Sequence, residues 1–122
     1  MRNIGNRTLR LVNLAGVAVA TVTDVSNLLG LFSGPPTLFL VGTENAGAAD
    51  MDVTVEGSPD GVVWHQMLAF ATLAATGLEP LGLNLMAKYM QITCTPSAPA
   101  GDWDVVVYAH GAIVDGQGAL LP

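Results

Sequence analysis

The chain is short of most side chains with which small proteins brace themselves or do chemistry. One cysteine, Cys94, stands among 122 residues, so an internal disulfide framework is excluded. Two histidines beside that single thiol make a four-ligand structural zinc site improbable. Charged residues are 11% of the chain, against ~25% in an ordinary globular domain. Cations are the scarcest: Lys and Arg number 4, Asp and Glu 10, for a formal net charge of −6. Such a body repels nucleic acid, because binding there rests on neutralising phosphates with Lys and Arg. No run of about 18 apolar residues is present, so no membrane-spanning helix is expected. No long stretch carries the 3.6-residue period of an amphipathic helix.

Apolar residues are what the chain has instead, at 51%. Soluble monomers rarely expose large apolar patches. The composition therefore points to assembly, with much of the surface buried against other subunits. The length fits one domain, and neither an internal repeat nor a domain boundary is visible. Arg2, Arg7 and Arg10 are three of the four cations and lie in the first ten residues; Lys88 is the fourth. A basic N-terminal arm on an acidic body suggests that one subunit's arm meets another's acidic face. That makes Arg2, Arg7 and Arg10 the candidate partner-binding residues. The opening MRNIGNRTLRLVNLAGVAVA has the basic start and small-x-small ending of a secretory signal, but Asn13 and Gly16 interrupt its apolar stretch, and a cleaved signal is not expected.

Short alternating segments separated by turn signals fill the chain. Residues 8–14 alternate, with Leu9, Leu11 and Asn13 on one face and Arg10, Val12 and Leu14 on the other. Residues 17–25 read as a β-branched strand. Residues 27–30 suit a helical turn before the SGPP break at 33–36. Strands are expected at 37–44, at 50–57 with Met51, Val53 and Val55 inward, and at 62–70. Leu81, Leu83 and Leu85 mark another. Residues 88–95 place Met90, Ile92 and Cys94 on one face, and 102–110 form the last strong strand. About seven to nine strands at spacings of roughly 8–12 residues is the pattern of an antiparallel β-sandwich. The expected division is an N-terminal arm and first strand over 1–14, a sandwich over 15–112, and a glycine-rich apolar tail over 113–122.

The stretch VTVEGSPDGVVWHQM, residues 53–67, raises the sharpest functional question. Pro59 presets φ for a turn, Asp60 suits the next position, and Gly61 takes positive φ, so hairpin chemistry accounts for these residues. On that reading the Trp64 ring caps one end of the core. The alternative is that Asp60 and Trp64 face a sugar. Asp50 with Asp52, and Asp102 with Asp104, each place two carboxylates on one face of a strand. With Glu56 and Asp60 they suggest calcium, although solvated carboxylates at strand starts are the simpler reading. His65 and His110 have no nucleophile at a recognisable spacing, and no nucleophile elbow is present, so no catalytic residue is assigned. Cys94, in phase with Met90 and Ile92, is expected to be a buried, inert thiol.

The 53–67 hairpin, together with KYMQITCTPSAPAGDWDVVVYAHG at 88–111, resembles a family of small β-sandwich proteins of tailed-bacteriophage virions. The resemblance covers nearly half the chain, from the G-S-x-D-G-x-x-W hairpin to the W-D-V-V-V-Y-A strand. The same hairpin signature occurs in discoidin-like carbohydrate- or lipid-binding sandwiches, which are longer and often closed by a disulfide. The virion resemblance implies a jelly-roll-like sandwich and a non-enzymatic structural protein on the capsid surface, foremost a capsid decoration (cement) protein. It implies the major capsid protein and the chain's own copies, as a trimer, for partners, and it brings no catalytic residues; the composition and charge leave no cofactor, metal, nucleic acid or membrane expected. A tail or head–tail component, and a carbohydrate-binding module for host attachment, are the alternatives.

Overall fold

Hydrophobic alternation pairs the strands from the two ends of the chain inward. The computed structural model describes residues 2–46, 49–97 and 102–115. It holds β1 (Arg2–Val17), β2 (Thr21–Asp24), a one-turn α1 (Ser26–Leu29), β3 (Thr37–Ala46), β4 (Met51–Ser58), β5 (His65–Ala69), β6 (Gly77–Gly82), β7 (Tyr89–Pro96) and β8 (Asp102–Asp115). All pairings are antiparallel: β1 with β8, β2 with β7, β3 with β6, and β4 with β5. That is one long hairpin, folded over so that β8 also pairs β3 and β7 also pairs β4. The result is two four-stranded sheets, β1-β8-β3-β6 and β2-β7-β4-β5, facing each other. The chain is an all-β sandwich, and eight strands in this order make a jelly roll.

The core lies between the sheets. Leu38, Leu40, Met51, Val53, Val55, Ile92, Cys94, Trp103, Val105, Val107 and Ala109 are all buried to within 1%. They occupy alternate positions of β3, β4, β7 and β8, the four central strands, as the period of two requires. Trp103 is the largest fully buried side chain, and its Nε1 donates to the Ala49 carbonyl at 3.2 Å, which removes the cost of enclosing that N–H. Gly42 lies against its ring: a Cβ there would stand 3.1 Å from Trp103 Cζ3.

Several boundaries differ from those the alternation suggests. Residues 17–25 are not one strand: β1 ends at Val17, the chain crosses to the other sheet, and β2 begins at Thr21. Val19, in the crossing, is 69% exposed. In β1 the alternation slips because of a register shift between Arg10 and Val12, which buries the consecutive Leu11 and Val12. The expected strand around Leu81–Leu83–Leu85 lies earlier, at β6, and Leu85 is exposed in the following loop. Pro80 sits within β6 because that strand is an edge, where a missing N–H costs no ladder bond. Residues 62–64 belong to the turn and β5 starts at His65. Of the N-terminal segment 1–14, residues 2–14 fall in β1, paired from Arg2 onward with the chain's own β8, and residue 1 lies outside the described residues. Of the tail, residues 113–115 belong to β8, and residues 116–122 lie outside the described residues.

Candidate functional site

The turn after β4 is fully occupied by its own bonds. Ser58 is buried, and its Oγ accepts from the Gly61 amide at 2.8 Å and the Asp60 amide at 3.3 Å while donating to Asp60 Oδ1 at 2.9 Å. The same Asp60 oxygen accepts from the Val62 and Val63 amides at 2.8 and 3.0 Å. Those amides, Val62 first, hold the Asp60 carboxyl below the usual carboxylate range. Gly61 takes φ +78°, with the Tyr89 ring stacked beyond it at 3.6 Å from where a Cβ would stand. Gly57 is closed by Met67 and Ala87. The turn residues therefore serve the hairpin. Trp64 is half-buried beside the exposed Val62 and Val63.

The carboxylate pairs lie on opposite outer faces of the sandwich. Asp52, on β4, accepts from Thr72 Oγ1. Asp104, on β8, accepts from Asn45 Nδ2 at 2.9 Å and the Gly16 amide at 3.0 Å, and Asp102 from Asn45 Nδ2 at 3.5 Å. Glu56 accepts from Gln91 and Thr93. All these donors are neutral side chains or a backbone amide. Among the described residues, no three His, Cys, Asp or Glu side chains gather as a metal site, and no enclosed pocket is present. His110 Nδ1 shares a 2.7 Å hydrogen bond with Thr8 Oγ1, and His65 is exposed at the start of β5. Cys94 is fully buried, and desolvation pushes its thiol up to about 12.

The structure separates the candidate arginines. Arg10 stands opposite Tyr108 and Arg7 opposite Gly111, three residues apart on a regular stretch of β1, so their side chains leave opposite faces. Both are exposed. The Arg2 backbone pairs with Asp115, and its side chain lies outside the described residues.

What the fold creates is a difference between its two outer faces. On the β2-β7-β4-β5 sheet, cross-strand rows read Asp24–Gln91–Glu56–Gln66 and Val22–Thr93–Thr54–Ala69, a largely polar, hydrogen-bonded surface with Val22 55% exposed at its edge. On the β1-β8-β3-β6 sheet they read Arg10–Tyr108–Phe39–Pro80 and Asn13–Val106–Val41–Leu78. Six apolar or aromatic side chains thus adjoin across three strands: Leu78, 58% exposed, and Pro80 stand free at the β6 edge, while Phe39, Val41, Val106 and Tyr108 are half-buried. Among the described residues, the elements that contact β3 most extensively are its sheet neighbours β6 and β8. An open sandwich face is ordinarily polar. This apolar face is the candidate functional surface. It was missed in the sequence, where its signal was the apolar runs TLFLV and DVVVYA, which are apolar at both parities of the strand.

No protein-family model matches the chain, and no curated protein matches it. Among solved structures, the crystal structure of Yersinia pseudotuberculosis-derived mitogen (YPM) is similar at a TM-score of 0.46 and 12% identity, over 91% of this chain and 86% of that one. A likeness of that size carries no functional argument.

Proposed function

We propose that the chain is a non-enzymatic structural protein of a tailed-bacteriophage virion, a capsid decoration protein that binds the outer shell and its own copies through apolar contact. The observation that carries the reading is the apolar outer face of the β1-β8-β3-β6 sheet. A flat β surface rich in Val, Phe, Tyr and Leu and poor in charge has the makeup of an interface core. Each copy needs little affinity of its own, because contacts repeated over a lattice multiply it. The resemblance over residues 53–111 supplies the kind of assembly. The jelly roll itself hosts capsid and lectin domains alike, so it chooses neither. The tryptophans weigh against the sugar-binding alternative: Trp103 is core and Trp64 is half-buried, which leaves a poor stacking platform.

The test is co-sedimentation with empty shells of the virus's own major capsid protein. Pelleting with the shells, and a raised melting temperature of the shells, is the expected result. Failure to pellet at tens of micromolar would overturn the reading, and binding to tails in place of heads would move the protein to the tail.

A further inference from the structure

The apolar face has opposite charges at its two ends. Across its middle run the rows Leu78–Val41–Val106 and Pro80–Phe39–Tyr108. Arg10 closes the second of these rows at the β1 edge, and the next row outward holds Thr8, His110 and Thr37. At the other end, beyond Val106 and Val41, come Asp104 opposite Thr43, then Asp102, which stands opposite Ala46 and accepts from Asn45 Nδ2. Along β1 and β8 the face therefore runs from a cation through an apolar centre to two carboxylates.

We infer that this face docks a second copy of the chain, antiparallel, about a two-fold axis that crosses the strands near the Val41–Val106 row. Such an axis lays the Arg10–Tyr108 row of each copy over the Asp104 row of the other. The Val106, Val41 and Leu78 side chains then meet their own counterparts. The inference rests on the reading that the chain acts by assembly, and it narrows that reading to one surface and to a pair of copies in place of the expected trimer.

Charge complementarity selects this occupant. A uniformly anionic partner is repelled by Asp102 and Asp104, and a uniformly cationic one by Arg10. A matching partner must carry the reverse polarity along the same length, and a two-fold copy does so automatically, because an isologous contact places residue i on j and j on i. The present hydrogen-bond donors to Asp104, Asn45 Nδ2 and the Gly16 amide, supply no formal countercharge. The Arg10 guanidinium and the Tyr108 hydroxyl of a second copy would supply a charge and a further donor. Size sets the strength. Four strands ~4.8 Å apart and five rows ~6.7 Å apart give a projected face on the order of 500 Å². That is below the ~800 Å² per partner of a standard stable interface, so the pairing is reversible.

The experiment is sedimentation equilibrium on the full chain from about 1 to 300 μM, with circular dichroism to confirm that each variant is folded. The expected result is a monomer–dimer equilibrium. R10E sets like charges against each other in both copies of the contact and weakens pairing by about tenfold or more. The charge swap R10E/D104K restores it in part, and V106K abolishes it. If the wild type assembles while R10E and V106K leave its mass unchanged, the face is not the contact, and assembly through another surface stands. A species of three chains unaffected by R10E overturns the two-fold pairing in the same way. A monomer at every concentration overturns both this inference and self-assembly.

Discussion

Replacing Gly42 by alanine tests whether the sandwich core is set by the fit of β3 against Trp103. A Cβ at position 42 would stand 2.5 Å from Leu73 Cδ1, and 3.1 and 3.3 Å from Trp103 Cζ3 and Cε3. The leucine methyl is the far end of a flexible side chain, yet its backbone is pinned, since the Leu73 amide and carbonyl both bond Met51. The indole is less free still, being 0% exposed and tethered through Nε1 to Ala49. Two effects oppose each other. Alanine in a strand is favoured over glycine by roughly 0.5–1 kcal/mol. Overpacking a closed core costs typically about 1–3 kcal/mol. With a rigid ring on one side and a pinned residue on the other, overpacking wins, and Gly42→Ala is expected to destabilise the fold by about 1–2 kcal/mol. For a chain of this length that lowers Tm by roughly 3–8 °C. The assay is thermal and urea unfolding of the wild type, Gly42→Ala, Leu73→Ala and the double variant. Leu73→Ala alone costs about 2–4 kcal/mol, but it makes room for the new methyl, so the double variant loses less than the sum by at least ~0.5 kcal/mol. A Gly42→Ala protein as stable as the wild type, or strict additivity in the cycle, would refute the reasoning.

Three further outcomes are expected. Ser58→Ala strands the Gly61 amide beneath the turn and costs about 1–3 kcal/mol of stability, measurable by urea unfolding. The Asp60 carboxyl is held below its ordinary pKa in the folded chain, so its stabilisation is present above the ordinary carboxylate range and lost as pH falls through the folded value. Tm measured against pH should therefore fall less steeply on acidification in Asp60→Asn than in the wild type, and equal slopes would count against the turn's bonding scheme. The Cys94 thiol, pushed up to about 12, favours folding below the ordinary thiol range and loses that contribution as pH rises toward its folded value. At pH 8 a thiol reagent should label it only after denaturant is added, and rapid labelling of the native protein would contradict its burial.

How much of this was legible in the residues differs from element to element. Strict alternation placed Met51, Val53 and Val55 on one side of β4 and Met90, Ile92 and Cys94 on one side of β7, and all six are buried. The turn chemistry at 57–61 likewise announced its hairpin and the positive φ of Gly61. These features are local: a period of two and a glycine's freedom act within a few residues. Residues 17–25 gave no sign that the chain changes sheets at Ala18–Ala20, because a β-branched run looks the same whether it pairs with one partner or two. Pro80 and the leucines around it misplaced β6, since an edge strand tolerates what a central strand forbids. Arg7 and Arg10 looked like one basic arm, and the regular pairing of β1 with β8 turned them to opposite faces.

By itself the sequence determined the class of structure. Alternating strands broken by turn signals specify a β-sandwich with a closed core. Only the tertiary structure decided which apolar residues were left outside. Phe39, Val41, Val106, Tyr108, Leu78 and Pro80 come from three strands that are distant in sequence, and they became one surface when β8 inserted between β1 and β3. The physical reason is that alternation tells each strand it has two sides, while the pairing of strands far apart along the chain settles which side meets the core and which apolar side chains are left side by side on the outer face.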